Sequence, residues 1–275
     1  MRYVRLLWTM LKAALGNRAA AQQLRRGMAA LNAIDAVMKP YRKGDYQAAL
    51  EAAEAFRYEG EVSPSYCFYR GANLMHLGRL PEAETWLRRN IEMRKKNETR
   101  HISIGYTSLG HLLLLSGRFD EAMECFHKSM SLCPQRSSGY RHMAEGLLLA
   151  GGDAADALRW AKQSVEKGKS DKEISLALRK LILGESLATL AWAVAAESHN
   201  TPEVARLTDE AVASVGTDTL SSTAQVLYQC GRAFAALGDN DKSMHYFEKT
   251  AALDLQGEFG RAARAALAGE LRAAR

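Results

Sequence analysis

The stretch YTSLGHLLLLSGRFDEAMECFHKSMSLCP, residues 106–134, decides the fold. It reads as two amphipathic helices broken by Gly117, with an apolar run to Leu115 on one side and Phe119, Ala122 and Phe126 at helical spacing on the other. Working outward, the same punctuation recurs: a glycine, then a polar or basic residue, then a new helix. It appears at Gly44-Asp45, Gly78-Arg79, Gly117-Arg118, Gly152-Asp153 and Gly238-Asp239. The step from Gly44 to Gly78 is 34 residues, and from Gly117 to Gly151 it is again 34. A period of that size predicts a stack of helical hairpins, each too small to bury its own apolar face.

Aligned on these turns, the segments share fixed slots. Tyr106, Leu109, Gly110 and Leu113 lead to Ala122, Phe126 and Pro134; Cys67, Arg70, Gly71 and Leu74 lead to Ala83 and Leu87. Leu227, Cys230, Gly231 and Phe234 lead to Ser243 and Phe247, while Tyr140, Met143, Ala144 and Leu147 lead to Ala157 and Ala161, with one extra residue in the turn. Small residues at Gly71, Gly110, Ala144 and Gly231, facing Ala83, Ala122 and Ala157, allow two helices to cross closely. This pattern resembles the tetratricopeptide repeat family, W-x2-L-G-x2-Y, then A-x3-F, then P. The resemblance covers residues 28–256, with the strongest stretch at 64–165. It implies an all-α, right-handed α-solenoid of five to six such repeats with terminal capping helices.

The flanks are read from the residues. Pro40 predicts a first helix that kinks or ends early. Five extra residues between the second and third turns suggest a longer helix through Met93, ended by Lys95-Lys96-Asn97. Lys167–Lys172 reads as a loop, Glu173–Ser198 as a long helix and Glu203–Val212 as its partner in a degenerate hairpin without a turn glycine. Residues 257–275, with Phe259, Ala263, Leu267 and Leu271, read as a capping helix.

Charge is unevenly placed. Residues 1–27 carry Arg2, Arg5, Lys12, Arg18, Arg25 and Arg26 and no acid, so the remaining chain has 31 basic and 31 acidic residues. A neutral repeat body argues against a basic nucleic-acid groove, and with it against the alternative of an RNA-binding helical repeat of the pentatricopeptide type. In the first segment Val4, Leu7, Trp8, Leu11 and Leu15 share one helix face opposite Arg2, Arg5 and Lys12. Such a helix either caps the array or lies on an anionic membrane surface through Arg2, Arg5, Trp8, Leu11 and Lys12. A secretory signal ending at Ala19-Ala20-Ala21 fits poorly, because Lys12 interrupts its apolar core and Arg18 stands beside the site. No apolar run is read as approaching the ~18 residues that span a bilayer. Four separated cysteines, Cys67, Cys125, Cys133 and Cys230, read as buried thiols in a reducing compartment, and the location expected is the cytoplasm.

No catalytic motif, cofactor loop or metal-ligand spacing stands out; His111 and His142 approach one another without evident carboxylates. The resemblance implies instead a concave groove lined by first helices, binding a peptide or protein segment. Its expected contacts are Phe68, Ala72 and His76 from the second repeat and Thr107, His111 and Leu114 from the third. Arg141 and Glu145 would come from the fourth, Tyr228 and Arg232 from the last. The lysines and asparagines with which the family grips a peptide carboxylate are missing from the matching positions. The function expected is a non-enzymatic interaction scaffold.

Overall fold

The computed structural model describes residues 17–56, 62–171, 174–215 and 219–273. The expected membrane-surface residues Arg2, Arg5, Trp8, Leu11 and Lys12 lie outside them. Among the described residues every regular element is helical. The first hairpin pairs α1 (Arg18–Arg42) with α2 (Tyr46–Ala52), extended by a short 3-10 turn, Ala53–Phe56. The second pairs α3 (Pro64–His76) with α4 (Leu80–Glu92), the third α5 (Thr99–Leu115) with α6 (Phe119–Leu132), and the fourth α7 (Ser137–Leu149) with α8 (Ala154–Ser170). The fifth pairs α9 (Leu176–Ser198) with α10 (Thr201–Ser214), and the sixth α11 (Leu220–Ala236) with α12 (Asn240–Leu253). A last helix, α13 (Glu258–Ala273), follows. The array is an all-α solenoid.

The turns follow the glycines. Gly44, Gly78, Gly117, Gly151 and Gly238 all have φ between 67° and 78°, the left-handed position that ends a helix at little cost only for glycine. In the fourth turn Gly151 takes this role and Gly152 follows it. The fifth hairpin, which lacks the glycine, uses His199 at φ 51°. Pro64, Pro81 and Pro202 sit in the first turns of α3, α4 and α10, where a missing N–H leaves no bond unmade.

Packing repeats with the sequence. A Cβ on Gly110 would lie 2.4 Å from Phe126, and one on Gly231 2.6 Å from Phe247. Each ring therefore lies directly on the opposite backbone. The buried core runs along the stack through Leu74, Leu87, Leu112 and Phe126 in the middle hairpins, then Leu187, Trp192, Leu207 and Phe234. Small hydroxyls knit neighbours where methyl groups would leave polar backbone unmet. Ser103 and Thr107 of α5 both reach Ser129 of α6, at 2.9 and 2.8 Å. Ser164 of α8 donates to Ser186 of α9 at 2.8 Å.

Four expectations are corrected. Lys167–Ser170 is helical rather than loop, because α8 runs on to Ser170; Gly168 is buried against Ile182 and Ser137, and Lys167 and Lys169 complement the helix's negative end. The extra residues between the second and third turns lie in the connection after α4 and in α5, which has 17 residues to the 13 of α3, since α4 already stops at Glu92. Pro40 does not shorten α1 much: it stands in the last turn, and the helix continues to Arg42. Finally, α9 is by length and composition long and apolar enough to cross a membrane. Its C-terminal half is instead buried, with Leu187, Ala191, Trp192 and Ala195 packed among the neighbouring hairpins, while Leu176 and Leu178 at its start are exposed.

Candidate functional site

The first helices line the inner side of the array, and on α5 the lining residues are Arg100, Ile104, Ser108 and His111, about one turn apart. With Phe68, Ala72 and His76 of α3, Arg141 of α7, Leu178 and Ile182 of α9 and Gln225 of α11, they enclose a cavity of about 560 Å³.

One end of this cavity is closed by the chain's own last helix. The Asp254 carboxylate accepts from the backbone N–H of Gly257 at 2.8 Å and of Gly260 at 3.0 Å, turning the chain sharply into α13. A Cβ on Gly260 would meet the Asp254 carbonyl oxygen at 1.6 Å, so that turn requires glycine. The turn places Glu258 and Phe259 in the cavity wall. Glu258 Oε1 lies 3.5 Å from His76 Nδ1 and 3.7 Å from His111 Nε2. Phe259 packs between the His111 and Tyr228 rings. Arg261 Nη1 donates to the carbonyl oxygen of His76 at 2.9 Å, and the His76 ring stacks on Tyr46 at 4.5 Å. The last helix thus touches the second and third hairpins, and through the His76 ring it backs onto Tyr46 of the first.

Burial governs the ionisation here. It raises the Glu258 carboxyl to about 8, helped by repulsion from Glu145 and Asp254. It lowers His76 and His111 to about 3, with Arg261 acting in the same direction on the former and His142 on the latter. At neutral pH this end therefore holds a protonated carboxyl and two uncharged imidazoles.

Beside it runs a closed polar chain. Arg141 Nη2 donates to His142 Nε2 at 3.0 Å, and His142 Nδ1 donates to Glu145 Oε2 at 2.9 Å, so the imidazole is neutral. Gln229 Nε2 donates to the other Glu145 oxygen at 3.3 Å. Burial disfavours the Glu145 carboxylate, but its bond to His142 and the Arg141 charge outweigh this and hold it at about 2. His111 and His142 do approach, at 4.8 Å between ring centroids. Contrary to the sequence reading, carboxylates stand next to them. Even so, no group of three or more metal-ligating side chains among the described residues is arranged to hold an ion.

Of the ten groove residues expected, Phe68, Ala72, His76, His111 and Arg141 line the cavity. The other five make internal contacts. Thr107 is tied to Ser103 and Ser129, Leu114 belongs to the core, and Glu145 bonds His142 and Gln229. Tyr228 packs on Phe247 and Phe259, and Arg232 lies over the Trp192 ring at 4.6 Å. Sequence reasoning missed Arg100, Ile104 and Ser108, which continue the α5 face through His111 by one-turn steps. A helical wheel anchored on His111 finds them. Glu258 and Phe259 carry no such signal, since only the return of the chain brings them there.

Residues 105–136 and 224–256, the third and sixth hairpins, match the tetratricopeptide repeat family. No curated protein matches the chain. Among solved structures, Pseudomonas aeruginosa pilF is 14% identical, covering 87% of this chain and 98% of its own, at a TM-score of 0.48. BtubC (BKLC) from P. vanneervenii is 15% identical over 89% of this chain and 91% of its own, at 0.45. MamA from Desulfovibrio magneticus RS-1 is 12% identical over 66% and 94%, at 0.43.

Proposed function

We propose that this chain, a tetratricopeptide-repeat protein, is a non-enzymatic scaffold that holds a protein partner by a segment entering its concave face. The observation that carries this reading is the row of first helices turned toward one shared cavity rather than into separate cores. Exposed apolar lining supports it: Leu178 is 43% exposed there, and an interface centre combines such anchors with a polar rim. The room is limited. A helix is ~10 Å across, so about 560 Å³ admits an extended stretch of a few residues more readily than helical turns. We place the protein in the cytoplasm, with residues 1–16 forming a second contact to an anionic membrane surface.

The partner test is a pull-down from the native cell extract with the full chain and with Ala72→Arg, which fills the concave wall with a charged side chain. Loss of one retained protein, with helicity unchanged, is the expected result; full retention moves the contact to another face. For the membrane contact, sedimentation with anionic-lipid vesicles should drop when residues 1–16 are deleted and α1 is left whole. Unchanged sedimentation removes that part of the reading.

A further inference from the structure

The first turn of α13 is poorly met by the surface it covers. Both Glu258 oxygens are buried without a hydrogen-bond partner, and so are His76 Nδ1 opposite them and the hydroxyl of Tyr46. The Tyr46 ring lies against the same turn, where a Cβ on Gly257 would meet it at 2.6 Å. At 3.5 Å from His76 Nδ1 and 3.7 Å from His111 Nε2, the Glu258 carboxyl stands too far off to bond either ring well. Arg141 Nη1 and Gln225 Nε2, from residues of the cavity wall, are also unpartnered. Buried donors and acceptors are ordinarily satisfied, and shutting them away from both partners and water costs free energy. This contact is therefore weaker than its burial suggests.

The body of α13 is held differently. Ala263 is fully buried, and Arg264 donates to the carbonyl oxygens of Ala251 at 3.2 Å and Leu255 at 3.0 Å. These bonds tie the helix to the end of α12 in its own hairpin. Across the inner face it is held by Arg261 on the His76 carbonyl and by the Phe259 ring, whose centroid lies 6.3 Å from that of His111 and 6.0 Å from that of Tyr228. The first turn can leave the inner face while the body stays in place. A tethered segment acts at an effective concentration of about a millimolar, so it fills a site that it fits only moderately. A free segment displaces it by fitting better.

We propose that Glu258 and Phe259 are an internal stand-in for a partner: the inner face of α3, α5 and α11 docks a foreign segment in which an aromatic residue directly follows an uncharged hydrogen-bonding one, and this segment displaces the first turn of α13. The aromatic ring takes the Phe259 place between His111 and Tyr228. The residue before it, free of the Asp254 turn that holds Glu258 off, reaches His76 Nδ1. The inference rests on the scaffold reading and names the side chains that enter.

The test is fluorescence anisotropy of a labelled peptide of residues 254–266, at neutral pH, with the full chain and with its Arg261→Ala variant. Loss of the Arg261 bond raises the fraction of chains whose site is vacant, so the variant should bind the peptide roughly fivefold more tightly than the parent. Phe259→Ala in the chain, which empties the slot and leaves Arg261 alone, should act in the same sense. The peptide carrying Glu258→Gln needs no proton to enter and should bind roughly tenfold more tightly than the unmodified one; the peptide carrying Phe259→Ala should bind at least tenfold more weakly. Bound peptide should also speed hydrogen exchange at residues 258–261 of the chain and slow it around His111. No saturable binding of the Glu258→Gln peptide to either loosened chain at about 1 mM overturns the proposal. So does equal binding of that peptide by the parent and both loosened chains, or full affinity of the Phe259→Ala peptide. Dimerisation of the Arg261→Ala chain would make the α13 of a second copy the occupant and refute a foreign one. If these results go against displacement while Ala72→Arg still releases the retained protein, the scaffold reading stands and the stand-in alone falls.

Discussion

Arg261 in the last helix holds the carbonyl oxygen of His76, 185 residues earlier, at 2.9 Å. That bond and the Glu258 contact beside it turn an open stack into one whose last helix closes its inner face. Arg261→Ala should therefore loosen the return of the chain more than it destabilises the array. We expect hydrogen exchange to rise in residues 254–264 and around His76, with a global loss of about 1 kcal/mol. Unchanged exchange at both sites would mean that Asp254 and Phe259 alone hold the helix in place.

Gly110 tests the crossing. Alanine there needs the Phe126 ring, 2.4 Å from the new Cβ, to move. Overpacking of this kind costs about 1–3 kcal/mol. Gly269 on α13 is the control, with nothing within 4 Å of an added Cβ, and alanine there should stabilise by up to about 1 kcal/mol through helix propensity. Denaturant unfolding of both variants decides it; a Gly110→Ala protein as stable as the parent would show a crossing looser than described.

The buried cluster gives the fold an uneven pH dependence. Glu258 is raised from 4.5 to about 8, so the folded state holds its proton where the unfolded state has lost it. Stability from this group is whole below pH 4.5 and falls as pH rises to 8. Buried Glu185, also raised, acts in the same sense. His76 and His111, lowered from 6.5 to about 3, act oppositely: their share is present above 6.5 and lost toward 3. Arg261, Arg141, Glu145, His142 and Asp254 also face them, as do Tyr41, whose hydroxyl lies 3.0 Å from His76 Nε2, and Tyr46, stacked on the same ring. Melting temperature should peak near pH 6.5. Glu258→Gln should flatten the limb from 6.5 to 8, where the parent loses up to about 2 kcal/mol. An alkaline limb identical in the two proteins would contradict a protonated Glu258.

His199 bears the left-handed turn that glycine bears elsewhere. His199→Gly should stabilise by about 0.5–1 kcal/mol, since a side chain with a Cβ is strained there. A loss of stability instead would reveal a contact of the imidazole that outweighs the strain.

Much of this was legible in residue spacing. The turn glycines located all but one of the reversals, the crossing glycines paired with Phe126 and Phe247 as the slots require, and Glu173–Ser198 announced α9 within a few residues. Local readings failed where a neighbour intervened. Lys167–Ser170 looks like a loop by composition, yet Gly168 fits under α9 and the helix continues. The inner face was half legible: Phe68, Ala72, His76, His111 and Arg141 reach the cavity, whereas Thr107, Leu114, Glu145, Tyr228 and Arg232 are used up between elements.

Periodicity sets what each residue does within its own hairpin, because a helix face and a left-handed turn depend on partners a few tens of residues away at most. The sequence by itself therefore determined the hairpins and their stacking, and their number to within one. The closing of the inner face depended on how small rotations per module accumulate over six of them, until α13 met α3. Only the tertiary structure decided that Glu258 would sit uncharged between His76 and His111, for no local pattern records what lies across a turn of the stack.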